Sequence, residues 1–95
     1  MRTRFYIDPD TGRPHVESHG VSAREAVEAL MQAGQDYAGY GGARVALGQT
    51  AAGRYLKVIY KPEQSRASVF IITAYPVGGH ELRAYRRRMR RRGKR

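Results

Sequence analysis

The segment Val69 to Tyr75 constrains this chain more than any other. Side chains on a strand alternate between faces. Phe70, Ile72 and Ala74 therefore share one face, and Val69, Ile71, Thr73 and Tyr75 the other. Both sets are largely apolar, so the strand belongs inside a sheet with cover on both sides. Setting aside Ala and Tyr, 20 large aliphatic, Met and Phe residues remain among 95. That is enough for one sheet with one or two helices against it, and too little for two cores.

The rest of the chain supplies those elements. Arg4 to Asp8 reads as a short strand. Asp8-Pro9-Asp10-Thr11-Gly12 reads as a turn: Pro fixes φ, Asp caps its own backbone, and Gly takes a positive φ. Residues 13 to 21 form a linking loop. Ser22-Ala23-Arg24-Glu25 is a capping box, followed by apolar residues at 23, 26, 27, 30 and 31, which predicts a helix over 22–33 closed by Gly34. The Gly-rich segment 34–42 reads as a flexible connection or a poorly paired edge strand. Strands follow at 43–48, 54–60 and 67–75, joined by turns of hairpin length. On the middle one, Leu56, Val58 and Tyr60 share a face opposite Tyr55, Lys57 and Ile59. His80 to Arg92 reads as a second helix with a thin apolar stripe of Leu82, Tyr85 and Met89, fraying after about residue 90. The expected class is α+β, with a small antiparallel sheet in the order β-α-β-β-β-α. Residues 1–90 form one domain, and 91–95 a basic, disordered tail.

Charge is concentrated at one end. Residues 83–95 carry nine basic side chains and no acid, whereas residues 1–82 carry nine basics against eight acids, out of a net +10. A near-neutral domain with a cationic terminus meets phosphate-rich polymers, acidic proteins or anionic membranes, of which nucleic acid or an acidic partner is the expectation. No apolar run is long enough to span a bilayer or to act as a secretory signal, so no membrane is expected and the cytoplasm is the expected compartment. The absence of Cys excludes disulfides, thiol catalysis and Cys-based zinc sites. His15 and His19 stand four apart, but Pro14 and Gly20 flank them and no carboxylate pair adjoins, so neither a helix there nor a metal or cofactor site is expected.

The remaining inventory suits RNA. Arg and Lys hold phosphates, and Tyr and His stack on unpaired bases. It also suits metal-independent RNA cleavage, in which the 2′-OH attacks the adjacent phosphorus. That reaction needs proton transfer by His or Lys and charge stabilisation by Arg. Lys57 lies on the face shared with Tyr55. Arg54 and Arg66 stand at the starts of neighbouring strands. His19 precedes a helix N-terminus, and Tyr75, Arg83, Arg86 and Arg87 extend the basic and phenolic surface.

In element order, these segments resemble the BrnT-type toxins of the RelE-like superfamily. The resemblance rests on His19-Gly20-Val21-Ser22 before the first helix and Arg44-x-x-Leu47-Gly48. It rests also on Gly53-Arg54-Tyr55-Leu56-Lys57-Val58-Ile59-Tyr60, Val69 to Ala74, and Glu81-x-x-x-Tyr85. The ending Thr73-Ala74-Tyr75-Pro76 is similar to that of a neighbouring group of small bacterial domains of unknown function. The resemblance implies an endoribonuclease toxin of a bacterial toxin–antitoxin pair, neutralised by a DNA-binding antitoxin protein. For a ribonuclease, the placement of these segments puts His19, Lys57 and Tyr85 at the site as the expected catalytic residues, Tyr85 also matching the family's terminal Tyr. Arg54, Arg66, Tyr75, Arg83, Arg86 and Arg87 would bind RNA. Tyr75 departs from the pattern, standing where the family usually carries an arginine. Two rivals remain: a non-catalytic RNA- or DNA-binding module of the same fold, and an interaction protein docking an acidic partner through its Arg-rich end.

Overall fold

The computed structural model describes residues 2–64 and 67–93. They form five strands, β1 (Arg2–Phe5), β2 (Ala33–Ala38), β3 (Arg44–Gln49), β4 (Tyr55–Pro62) and β5 (Ser68–Pro76). Two helices join them, α1 (Ala23–Met31) and α2 (Gly79–Gly93). The strand order in the sheet is β1-β5-β4-β3-β2. The class is α+β, but the sheet is mixed rather than antiparallel: β1 pairs parallel with β5, Arg2 to Phe5 lying opposite Ser68 to Ile71. The other three pairings are antiparallel. A second correction is the fifth strand. The Gly-rich connection begins as a true edge strand, and Gly34 lies inside it rather than capping α1, which ends at Gln32 with φ −104° and ψ 22°.

The local rules that start α1 hold atom by atom. Ser22 Oγ accepts from Glu25 N, and Glu25 carboxylate accepts from Ser22 N, each at 3.0 Å. The helix buries Ala26 and Ala29 against Ala46, Leu56, Val58, Ile71 and Ala74 of the sheet. Small residues bring helix and sheet close. A Cβ on Gly48 would stand 2.0 Å from the Ala29 carbonyl oxygen, so only glycine fits there. The segment expected as a loop before α1 contains a single 3₁₀ turn, His15–His19. Pro14 is tolerated ahead of its first residue, and Gly20 closes it at φ 73°. This turn seats Val16 in the core and flanks β5 beyond the point where β1 stops pairing.

The second helix crosses the opposite face diagonally. Glu81 meets Lys57 on β4, Tyr85 meets Leu47 on β3, and Arg88 and Arg92 meet Gln35 and Gly34 on β2. Helical structure continues through Gly93, past residue 90, and Lys94 and Arg95 of the expected tail lie outside the described residues. Because α2 runs over β4, β3 and β2, it leaves β5 uncovered on that side. Phe70, Ile72 and Thr73 are therefore only partly buried, while Val69 packs with Ile71 and Ala74 against the α1-side core, so the expected double cover of β5 exists on one face alone. The register shift opposite Ile59 and Tyr60 brings Ile71 and Ala74 into the same core, where strict alternation put them on opposite faces. None of the described helices is long and apolar enough to cross a membrane.

Candidate nucleic-acid interface

Seven arginines lie on α2, and helix geometry sorts them. At 100° per residue, Glu81, Leu82, Tyr85, Arg88, Met89 and Arg92 fall on the side that meets the sheet. Arg83, Arg86, Arg87, Arg90 and Arg91 fall within an arc of about 140° on the other side, and all five are exposed. They rise over about 12 Å of helix. Elsewhere among the described residues most basic groups are answered locally, Arg2 on β1 and Lys61 on β4 being the strand cations without a carboxylate partner. Arg4 pairs with Glu63, Arg13 with Glu17, Arg24 with Glu28, Arg44 with Asp36, Arg54 with Glu25, and Lys57 with Glu81, while Asp8 faces His15. Asp10 alone among the acids has no cationic partner within the described residues. The five outward arginines have no carboxylate partner there either, and form one uncompensated positive face.

A second feature lies where β5 is left uncovered. The rings of Tyr6, His15, His19 and Tyr75 follow one another at centroid spacings of 6.0, 5.2 and 5.8 Å. Lys57 Nζ then lies 5.9 Å from the Tyr75 ring centroid and 2.5 Å from Glu81 Oε2. Lys57 pairs across the sheet with Tyr75, which places its stem beside that ring. Its side chain is 16% exposed. Burial pulls the ammonium pKa down, but the hydrogen bond to Glu81 and the Tyr75 phenol outweigh it, and the net shift is upward. Lys57 is thus held as a cation. His19 is exposed, its ring centroid 5.8 Å from that of Tyr75.

The sequence-predicted residues divide accordingly. His19, Tyr75 and Lys57 come together, and Arg83, Arg86 and Arg87 share the outer face of α2. Tyr85 is separate: it is buried, packs edge-on against Tyr55 at 6.1 Å, and donates its hydroxyl to the Leu47 carbonyl at 3.1 Å. Its observed contacts are those of an anchor for α2. Arg54 is occupied as well. Its Nη1 donates to the Gly20 carbonyl and to Glu25, each at 2.9 Å, tying the β4 start to the α1 N-terminus. That contact, together with the Ser22 backbone bond, which is the larger cause, holds the Glu25 carboxyl below its ordinary pKa. Arg66 lies outside the described residues. Sequence reasoning missed Glu81 as the partner of Lys57 and His15 as the neighbour of His19. The i, i+4 spacing of the two histidines was the available signal.

Among the described residues, no group of three or more His, Asp or Glu stands close enough to hold a metal ion. Comparison with protein families, curated proteins and solved structures found no match.

Proposed function

We propose that this protein binds single-stranded RNA through the arginine face of α2. The observation that carries the reading is the separation of charge. Among the described residues, carboxylates answer the cations of the sheet and of α1 except Arg2 and Lys61, while Arg83, Arg86, Arg87, Arg90 and Arg91 stand together on one helix face without one. A polyanion is the complement of such a face. The Tyr55 ring beside Arg86 favours RNA over an acidic protein, because unpaired bases stack on such rings. The test is fluorescence anisotropy with a labelled unstructured RNA, against polyglutamate of equal charge. The reading requires RNA to bind more tightly. Equal or tighter binding of polyglutamate would turn the α2 face into a docking surface for an acidic protein.

A second reading, an endoribonuclease toxin with a DNA-binding antitoxin as partner, draws support from the row His19–Tyr75–Lys57. In cleavage by 2′-OH attack, a base takes the 2′ proton, an acid supplies one to the departing 5′-oxygen, and negative charge builds on phosphorus. Lys57, kept protonated, suits charge stabilisation once a phosphate displaces Glu81. His19 is the group in the row suited to proton transfer. RNA incubated with wild type, His19→Ala and Lys57→Ala and resolved on a gel tests this. The reading expects cleavage by wild type alone, at unchanged melting temperature. Intact RNA with tight wild-type binding would eliminate it and leave the first reading standing.

A further inference from the structure

A groove of about 790 Å³ opens at one end of the sheet, between the second half of α1, the turn joining β3 to β4, and the middle of α2. Its volume lies within the range of roughly 300–1,000 Å³ that small-molecule sites occupy. It contains neither His19 nor Lys57, so it is distinct from the row on β5. Its apolar walls are Met31, Met89 and Tyr55, and Arg86 and Arg90 stand at its α2 rim. The groove and the arginine face therefore share two residues, and a strand following one passes the mouth of the other.

We propose that this groove takes one unpaired base of an RNA strand whose phosphates lie on the arginine face. The inference rests on the RNA-binding reading and adds to it a base-recognising subsite. Three features point to a base. Tyr55 is held edge-on against Tyr85 with an interplanar angle of 74°, which fixes its ring. The Arg86 guanidinium lies 5.8 Å from the Tyr55 ring centroid, so a stacking surface and a phosphate-binding cation are presented together. Met31 is 66% exposed at the groove wall, a large polarisable side chain suited to packing on an aromatic plane. Gln49 adds a polar contact: its Nε2 donates to the Gly53 carbonyl at 3.1 Å, which fixes the amide and leaves Oε1 as an acceptor for a base edge. Glu28, on the opposite wall, accepts from Ala51 N and pairs with Arg24. Its charge keeps phosphate on the α2 side and orients the nucleotide base-inward. A duplex cannot deliver a base in this way without unpairing it.

The chain has three methionines, Met1, Met31 and Met89, so methyl-¹³C-methionine labelling of the full protein gives a direct readout. An unstructured RNA octamer is titrated against an abasic octamer with the same number of phosphates. The proposal expects the RNA to move the Met31 and Met89 methyl signals by ring current, and the abasic strand to leave them in place. The abasic strand should bind roughly five- to 150-fold more weakly, the span for one base stacked on an aromatic side chain. Met31→Ser, at an exposed position, should lower RNA affinity toward the abasic value and leave abasic binding unchanged. Unmoved Met31 and Met89 signals at saturation, with both strands binding equally, would overturn the groove and leave RNA binding by α2 intact. If neither strand binds, the RNA reading fails and the groove with it.

Discussion

Replacing Arg83, Arg87 and Arg91 with Gln strips the i, i+4, i+8 stripe from the outer side of α2. Each neutralised phosphate contributes about −0.7 to the slope of log K against log salt for a single strand. Five outward arginines in contact with phosphates therefore give a slope of about −3.5, and the triple variant about −1.4. Between 50 and 200 mM salt, wild-type affinity should fall about 130-fold and that of the variant about sevenfold. Stability should move the other way. Two like-charge i, i+4 pairs, Arg83–Arg87 and Arg87–Arg91, are removed, each costing about 0.2–0.5 kcal/mol. For a domain of this size that raises the melting temperature by about 2–8 °C. Anisotropy across a salt series, with thermal melts of both proteins, measures the two effects. An unchanged slope would show that phosphates do not lie on this face. A lower melting temperature would show that the three arginines hold the fold together, contrary to their exposure and lack of carboxylate partners.

Three further outcomes follow from the packing. Gly48→Ala forces a methyl group against the Ala29 carbonyl and should cost about 1–3 kcal/mol or more, whereas Gly78→Ala, with nothing within 4 Å, should melt near wild type; parallel thermal melts decide it. Tyr85→Phe removes the hydroxyl from Leu47 and should cost about 1 kcal/mol, or about 4–8 °C, by circular dichroism. Glu25 has its carboxyl pKa lowered on folding, so it adds stability above its ordinary value of 4.5, and that stability is lost as pH falls through the lowered value. Melts from neutral pH downward should therefore show a flatter acid limb below about pH 4.5 for Glu25→Gln than for wild type.

What was legible in the sequence was local chemistry. The capping box of α1, the Asp8–Gly12 turn, where Asp8 Oδ1 accepts from Asp10 N at 2.9 Å and Gly12 takes φ 73°, and the alternation of β4 all depend on neighbours within a few residues. The elements read differently from the structure depend on distant partners. Ala33-Gly34-Gln35-Asp36-Tyr37-Ala38 has little intrinsic strand preference. It becomes β2 because β3 offers a free edge, and because Gly34 lets α2 close in: a Cβ there would stand 2.4 Å from Met89 Sδ and 2.5 Å from the Tyr85 hydroxyl. The parallel register of β1 is likewise invisible locally, since its partner lies more than sixty residues downstream.

The same division explains the candidate site. An arginine run announces itself by composition, but its face becomes defined only once Glu81, Tyr85, Arg88 and Arg92 fix which side of α2 meets the sheet. Arg54 shows the converse. By sequence it is one more cation among strands, yet its observed partners are Gly20 and Glu25, so binding phosphate would require it to give up contacts that brace α1. Lys57 stands between these cases. Its partner Glu81 is 43% exposed, so water or an incoming phosphate can reach the pair. An exchangeable ion pair beside Tyr75 and His19 is compatible with a role in holding RNA. The diagonal course of α2 creates both surfaces: it presents the five arginines outward, and by passing over β4, β3 and β2 it leaves the β5 row open to solvent.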